Sequence, residues 1–306
     1  MGPLRVRRHD EIAVGHLRVA PFALRSLSAV YLVCMMFSIG LELGRPSAAS
    51  KERHRRALVG GLLVNLVLVP VLAIIMTRAF NTTRELAIAV LLLAAAPGGP
   101  FVPDFARVAG ARQSVAVELT LLLAKIAPFT APVTTRLLLS VHKIHISEWP
   151  FLVTLLVCQI VPFLLGRTLR RRRETSERLH RPARLAATIS GVVLVLLLLV
   201  DAGPRAFVLL RDHGWLIVLA VTAGALALGW LLGGSDESTR TAVAISATGR
   251  NLGLAVVIGV AVFPHSSVQI ATVASWAMLT AFGYGFAKLM GRRGAATHDG
   301  RAAHPH

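Results

Sequence analysis

The chain has 306 residues, 55% hydrophobic and only 16% charged, with a mean hydropathy of +0.66. That balance excludes an ordinary soluble domain and defines an all-α integral membrane protein. The net charge of +18 does not imply a nucleic-acid partner, because most Lys and Arg stand in short segments between apolar runs rather than on a basic soluble face.

Residues 1–21 form a tail that carries Arg5, Arg7 and Arg8, and no uninterrupted apolar core follows until about Leu27. A cleaved signal peptide is not expected from that pattern. At about 20 apolar residues per crossing, nine spans follow in order: Phe22 to Leu43, Ala57 to Phe80, Glu85 to Ala109, Ser114 to Leu139, Trp149 to Thr168, Leu185 to Ala202, Gly214 to Leu232, Thr239 to Phe263 and Val268 to Met290. The connections are short, so residues 22–290 read as one transmembrane domain, and the polar, His-containing stretch 291–306 reads as a disordered tail. Cys34 and Cys158 both lie inside apolar runs and read as packing residues.

Loop charges set the expected orientation. With the N-terminus outside, the cytoplasmic side of a bacterial inner membrane receives Arg45, Lys51, Arg53, Arg55 and Arg56, then Arg107 and Arg112, then the cluster Arg167 to Arg184, and finally Arg240, Lys288, Arg292 and Arg293. The other side receives far fewer, which favours N-out and C-in. The basic tail pulls the other way, and an extra amphipathic segment around Ile12 to Leu24 is the alternative.

Two spans are interrupted in their middles. The third reads Ala96-Pro97-Gly98-Gly99-Pro100-Phe101-Val102-Pro103-Asp104, and the eighth reads Ser246-Ala247-Thr248-Gly249-Arg250-Asn251. Irregular backbone at membrane depth survives only where protein or a polar cavity satisfies the freed N–H and C=O groups. Paired broken helices in two halves of a chain mark the binding site of a secondary transporter, and the spacing of the two breaks fits inverted repeats that bring them together at the centre.

The ionisable residues in or beside these spans are Asp104, Glu118, Lys125 and Arg250. An unpaired charge at a helix centre costs about 2.5–3.5 kcal/mol on insertion scales. Arg250 reads either as a fixed cation facing the crossing, offering its fork to a substrate carboxylate, or as a lock on the bundle through Asp104 or Glu118. Glu118 reads either as a proton-titrating carboxylate or as the partner of Lys125 or Arg250. Asp104 reads as a cap of the second half-helix. Neutral oxygens come from Asn65, Thr120, Ser246, Thr248 and Asn251, a set suited to sodium, although Ser and Thr in spans commonly bond back to their own helix.

At these residues the chain resembles the bile acid:sodium symporter family. The resemblance is carried by Met36 to Leu43, Asn65 to Pro70, Pro97-Gly98-Gly99 continuing to Ala127-Pro128 and Pro132, and Ala244 to Asn251-Leu252-Gly253-Leu254-Ala255. It implies a core and a panel domain built from inverted five-helix repeats, the first helix missing here, and carriage of small organic anions, usually with sodium. Substrate is expected at Pro97, Gly98, Gly99, Arg250 and Asn251, and ion-coupling residues or ion-site equivalents at Asn65, Thr120, Ser246, Thr248 and Glu118.

The family's ion-site pattern is broken in this chain. Ser-Asn after Pro-Gly-Gly is replaced by Val102 and Pro103, a Ser/Thr pair is reduced to Ala116 and Thr120, and Glu-x-x-x-Gln-Asn becomes Ser246 to Asn251 with Arg250 at the Gln position. A guanidinium about 4 Å from a sodium ion would repel it by roughly 4 kcal/mol at an effective dielectric near 20. The expectation is therefore an organic-anion carrier with altered or absent sodium coupling and no other cofactor. Its alternatives are a proton-coupled or exchange carrier, or a membrane receptor that no longer transports. An enzyme is not expected, because no catalytic motif accompanies the breaks.

Overall fold

The computed structural model describes residues 21–42, 48–80, 82–141, 148–211, 214–263 and 267–302. The expectations for the tail and for the amphipathic stretch up to residue 20 lie outside these. Every named element is helical: α1 (Pro21–Glu42), α2 (Ala48–Leu63), a π turn (Val64–Leu68), α3 (Val69–Ala79), α4 (Arg84–Ala95), α5 (Val102–Val108), α6 (Gln113–Val141), α7 (Glu148–Leu169), α8 (Arg173–Arg211), α9 (Gly214–Leu232), α10 (Glu237–Thr248), α11 (Leu252–Val262) and α12 (Val268–Ala302).

Each of the nine apolar runs maps onto one helical unit or one broken pair. Among the described residues, four stretches are long and apolar enough to cross a membrane unaided, namely His54–Ala79, Glu174–Leu197, Gly214–Leu232 and Val268–Arg293. A fifth is formed by the two parts of α6, which meet at 72° around Pro128, a residue with no N–H to continue the ladder. The α4–α5 and α10–α11 pairs fall short individually because each half is only half a crossing. α12 runs on as helix to Ala302, so the helical stretch extends past Gly291, where the sequence reading starts a disordered tail.

The π turn has a local cause. Pro70 sits at the start of α3, where it cannot donate to the carbonyl four residues back and its ring crowds that turn. One residue is accommodated as an i→i+5 bulge, closed by the Val69 amide on the Val64 carbonyl. Such bulges re-aim side chains at functional positions, and this one carries Asn65.

α1 packs on α7 and α8, while α9 packs on α10 and α12 on α4. The α1–α7 crossing is close because small residues face each other there. A Cβ on Gly40 would lie 3.0 Å from the Arg167 amide, and one on Gly166 would lie 3.0 Å from the Gly40 Cα, the close approach that small residues permit between helices in lipid. The largest buried cluster runs through α4, including Leu91, Leu92 and Leu93, and reaches Ile217 and Val221 of α9 and Leu254 and Ile258 of α11. α4 and α11 therefore sit inside the assembly, and Ala96 to Gly99 and Arg250 to Asn251 at the breaks are buried, while Pro100 and Phe101 are exposed.

Candidate functional site: the crossing of two broken helices

α4 ends at Ala95 and α5 begins at Val102, while α10 ends at Thr248 and α11 begins at Leu252. The backbones in the two gaps run antiparallel and pair at Pro97 and Arg250. The Asn251 amide donates to the Ala96 carbonyl at 2.8 Å, and the Gly98 and Gly99 amides both donate to the Gly249 carbonyl at 3.2 and 3.0 Å. Each break thus satisfies the polar groups that the other leaves exposed, which is what an irregular backbone at this depth requires. Two glycines are needed for it: Gly98 has φ +86°, and a Cβ on Gly99 would come within 2.9 Å of the Arg250 backbone nitrogen, so neither position accepts an ordinary side chain.

Arg250 is 2% exposed and turns its guanidinium into the crossing. It donates from one terminal nitrogen to the Ala94 carbonyl at 3.3 Å. From the other it donates to the Asn65 Oδ1 at 3.2 Å and to the Ala247 carbonyl. Ala94 and Ala247 lie in the last turns of α4 and α10, where the partial negative charge of each helix end collects. Two helix C-termini and one amide oxygen therefore converge on a single cation. Asn65 is held for this by its own Nδ2, which donates to the Gly61 carbonyl at 2.9 Å. The Trp276 indole N–H donates to the Arg250 carbonyl at 3.2 Å and fixes α12 against the crossing.

Asn251 caps α11, its Oδ1 accepting from the Leu254 amide at 3.1 Å. On its outer side stands Tyr31 of α1, whose hydroxyl lies 3.5 Å from the same oxygen and 2.9 Å from the Met35 sulfur. The Tyr31 ring fills the space left by two glycines on different helices. A Cβ on Gly191 of α8 would meet the ring at 2.8 Å, and one on Gly253 of α11 would fall within it. Tyr31, Met35 and Trp276 were not singled out from the sequence, since a lone aromatic in an apolar span gives no signal; the paired glycines become legible only once the helices are packed.

Six of the site residues read from the sequence come together at the crossing: Pro97, Gly98, Gly99, Asn65, Arg250 and Asn251. The others do not join it. The Thr120 hydroxyl donates to its own Ala116 carbonyl at 2.8 Å, and the Thr248 hydroxyl donates to Ile245 at 2.9 Å, the back-bonding open to hydroxyls inside helices. The Ser246 hydroxyl is buried and unpartnered, as is one carboxylate oxygen of Glu118. Neither carboxylate reaches Arg250. Asp104 is exposed and pairs with Arg107 at 3.4 Å, and among the described residues no ion pair joins Glu118 to the guanidinium. Asp104 is not the cap of α5 either. The helix starts two residues ahead of it, with Phe101 in the cap position and no side-chain cap bond, so Asp104 lies in the first turn, where its charge also suits the helix dipole.

The ends of the two broken helices are also tied at one membrane face. The Asp236 carboxylate caps α10 by accepting from the Thr239 amide at 3.0 Å and hydroxyl at 2.8 Å, and it pairs with Arg112 at 3.2 Å. Partial burial pushes this carboxyl up, but the Thr239 hydroxyl and amide and then Arg112 outweigh it and hold it below its ordinary value. The Arg112 amide donates in turn to the Ser238 carbonyl at 3.1 Å.

A helical membrane assembly in which two interrupted helices cross back to back around buried polar groups has the architecture of a secondary transporter. The signature of the sodium bile acid symporter family matches residues 29–209, more than half of the chain, and the protein belongs to that family. It is also 22% identical over 261 residues to an uncharacterised sodium-dependent transporter, YocS, of Bacillus subtilis (strain 168), an alignment covering 82% of this chain and 79% of that protein. The family match ends before the second broken helix, the one that carries Arg250.

Proposed function

We propose that this protein is a secondary active carrier of a small organic anion in which Arg250 takes the place of a coupling cation. The observation that carries this reading is the guanidinium's ligand set: two helix-end carbonyls and the Asn65 amide oxygen, all neutral acceptors. Neutral oxygens at helix C-termini are the donors a transporter offers to sodium, and here a covalently attached positive charge uses them. A sodium ion sharing these oxygens would stand beside a like charge at a cost of roughly 4 kcal/mol. Of the ion-site pattern that the resemblance implies, Val102 and Ala116 offer no side-chain ligand, and the Thr120 hydroxyl is already bonded to its own helix. The carrier has nine crossings, with the N-terminus outside and the C-terminus in the cytoplasm.

The Bacillus subtilis relative is named as sodium-dependent; the Arg250 arrangement supports the opposite behaviour for this chain. Protein reconstituted in liposomes is expected to take up one or more members of an anion panel (bile acids, keto acids, hydroxy acids) at the same rate when sodium is replaced by potassium or choline. Strict dependence on sodium with two coupled ions overturns the proposal. An arm with an imposed pH gradient tests proton coupling, for which the buried, unpartnered Glu118 oxygen is the observation in favour. An absence of uptake under every gradient, with an anion-dependent rise in melting temperature retained, would instead describe a receptor on the same fold.

A further inference from the structure

Among the described residues the Arg250 charge has no counter-charge. Its three bonds run to neutral oxygens, and no carboxylate among the described residues forms an ion pair with it. Breaking a buried pair by removing one partner is strongly unfavourable because a lone charge stays in low dielectric, and the same physics applies to a charge that never had a partner. Helix-end dipoles offset part of the cost, each acting as roughly half an elementary charge at most.

Beside the guanidinium lies a small cavity of about 20 Å³. Among the described residues its walls come from α3, α4, α9, α10, the second break and α12, with Val69, Val90, Val218 and Leu279 among them. Two polar residues line it: Arg250 and Ser275. Ser275 is 0% exposed, and its hydroxyl has no hydrogen-bond partner. A buried hydroxyl without a partner is costly, and on the wall of a cavity that Arg250 also lines it is a donor still open to a ligand.

We propose that this cavity is a binding site for a monovalent inorganic anion of halide size, held by the Arg250 guanidinium and the Ser275 hydroxyl. The chemistry selects the class. A cation is repelled by the guanidinium, and an organic acid needs a pocket of some 300–1,000 Å³. One water molecule needs about 10–15 Å³ and two or more polar partners, so the volume admits a single small species, and the uncompensated positive charge favours a charged one. The apolar walls suit a weakly hydrated halide. The bound anion completes the charge balance of the crossing, so the inference goes beyond the transport reading and does not depend on which organic anion is carried.

The test uses the full chain purified in detergent, with chloride, bromide, gluconate and sulfate as sodium salts at constant ionic strength. Chloride and bromide are expected to raise the melting temperature saturably, and gluconate and sulfate are not, because a ligand specific to the native state stabilises it by mass action. Ser275→Ala is expected to weaken the apparent halide affinity about tenfold, the worth of one hydrogen bond to a charged group. Leu279→Phe, which fills the cavity while leaving both polar groups, is expected to abolish the halide effect. Identical melting temperatures in all four salts, the result for a water site, overturn the proposal, as does a halide effect that both variants leave unchanged. Halide binding with strictly sodium-coupled uptake would remove the transport proposal alone, and sodium-independent uptake without halide binding would remove this one alone.

Discussion

At the scale of single residues, Arg250 and the oxygens around it behave as one unit. Replacing it in Arg250→Gln strips the donor from the Ala94 and Ala247 carbonyls and from Asn65. Each buried polar group left unmatched costs about 1–3 kcal/mol, so the variant is expected to melt well below the parent. It also frees a cation site made of neutral oxygens. Exchanging choline chloride for sodium chloride should raise the melting temperature of Arg250→Gln and leave the parent unchanged; equal responses would mean that the guanidinium does not stand where a cation could. Gly253 makes the second prediction. A methyl there displaces the Tyr31 ring, and overpacking of this kind costs about 1–3 kcal/mol. Gly253→Ala is therefore expected to lose that much stability and Tyr31→Ala to relieve it, a non-additivity that a double-mutant cycle measures. The importance of Arg250 was legible in the sequence, because an arginine in the middle of an apolar run demands an explanation. Its ligands were legible only in part: the Asn65 side chain stood out as polar, whereas backbone carbonyls carry no sequence signal.

At the scale of elements, the breaks were readable because a cluster of Pro, Gly and polar residues in the middle of a crossing interrupts the helix, and both appear where the sequence put them. The hydroxyls were read less well. Thr120 and Thr248 look like ligands in one dimension, yet a helix offers each of them a carbonyl within one turn, and both took it. The clip between the broken helices lends itself to a pH test. The Asp236 carboxyl lies below its ordinary value of 3.8, so its folded form is favoured while it is ionised; that stabilisation is in full above about pH 4 and is lost as the pH falls through the lowered value. The side chain is 46% exposed, so screening keeps the ion-pair part within about 1 kcal/mol, and the cap contributes about as much again. Asp236→Ala is expected to melt lower than the parent at pH 7, and the gap to narrow as the pH falls below 3.8 and through the lowered value. A gap that does not narrow with acidification would assign the effect to packing. At the α1–α7 crossing, Gly166→Val inserts atoms where the Phe37 carbonyl and the Gly40 Cα already touch. It is expected to cost more stability than Gly285→Val, at a glycine whose added Cβ meets nothing within 4 Å, with detergent melting curves as the readout.

At the scale of the molecule, α1 and α8 meet α11 along a seam built around one side chain. α1 and α8 contribute Tyr31 and Gly191, α11 contributes Asn251 and Gly253, and the tyrosine ring spans the boundary. Composition foretold a membrane bundle and the breaks foretold its centre, but this seam depends on which helix faces come together, and near-uniform apolar spans do not encode that in any periodicity a reader can extract. A carrier that exposes its site to alternate sides does so largely by rocking one group of helices against the other, so a contact across the seam has to part during each cycle. The two native thiols, Cys34 and Cys158, can be replaced by Ala to give a background for engineered pairs. In that background, joining Tyr31→Cys to Gly253→Cys with a short bifunctional thiol reagent is expected to stop uptake in liposomes and a reducible linker to restore it. The same treatment of Gly40→Cys with Gly166→Cys, both within the α1–α7 pair, is expected to leave uptake unchanged where the variants fold. If linking Tyr31 to Gly253 leaves the rate intact, α1 and α11 travel together and the boundary between moving parts lies elsewhere in the bundle.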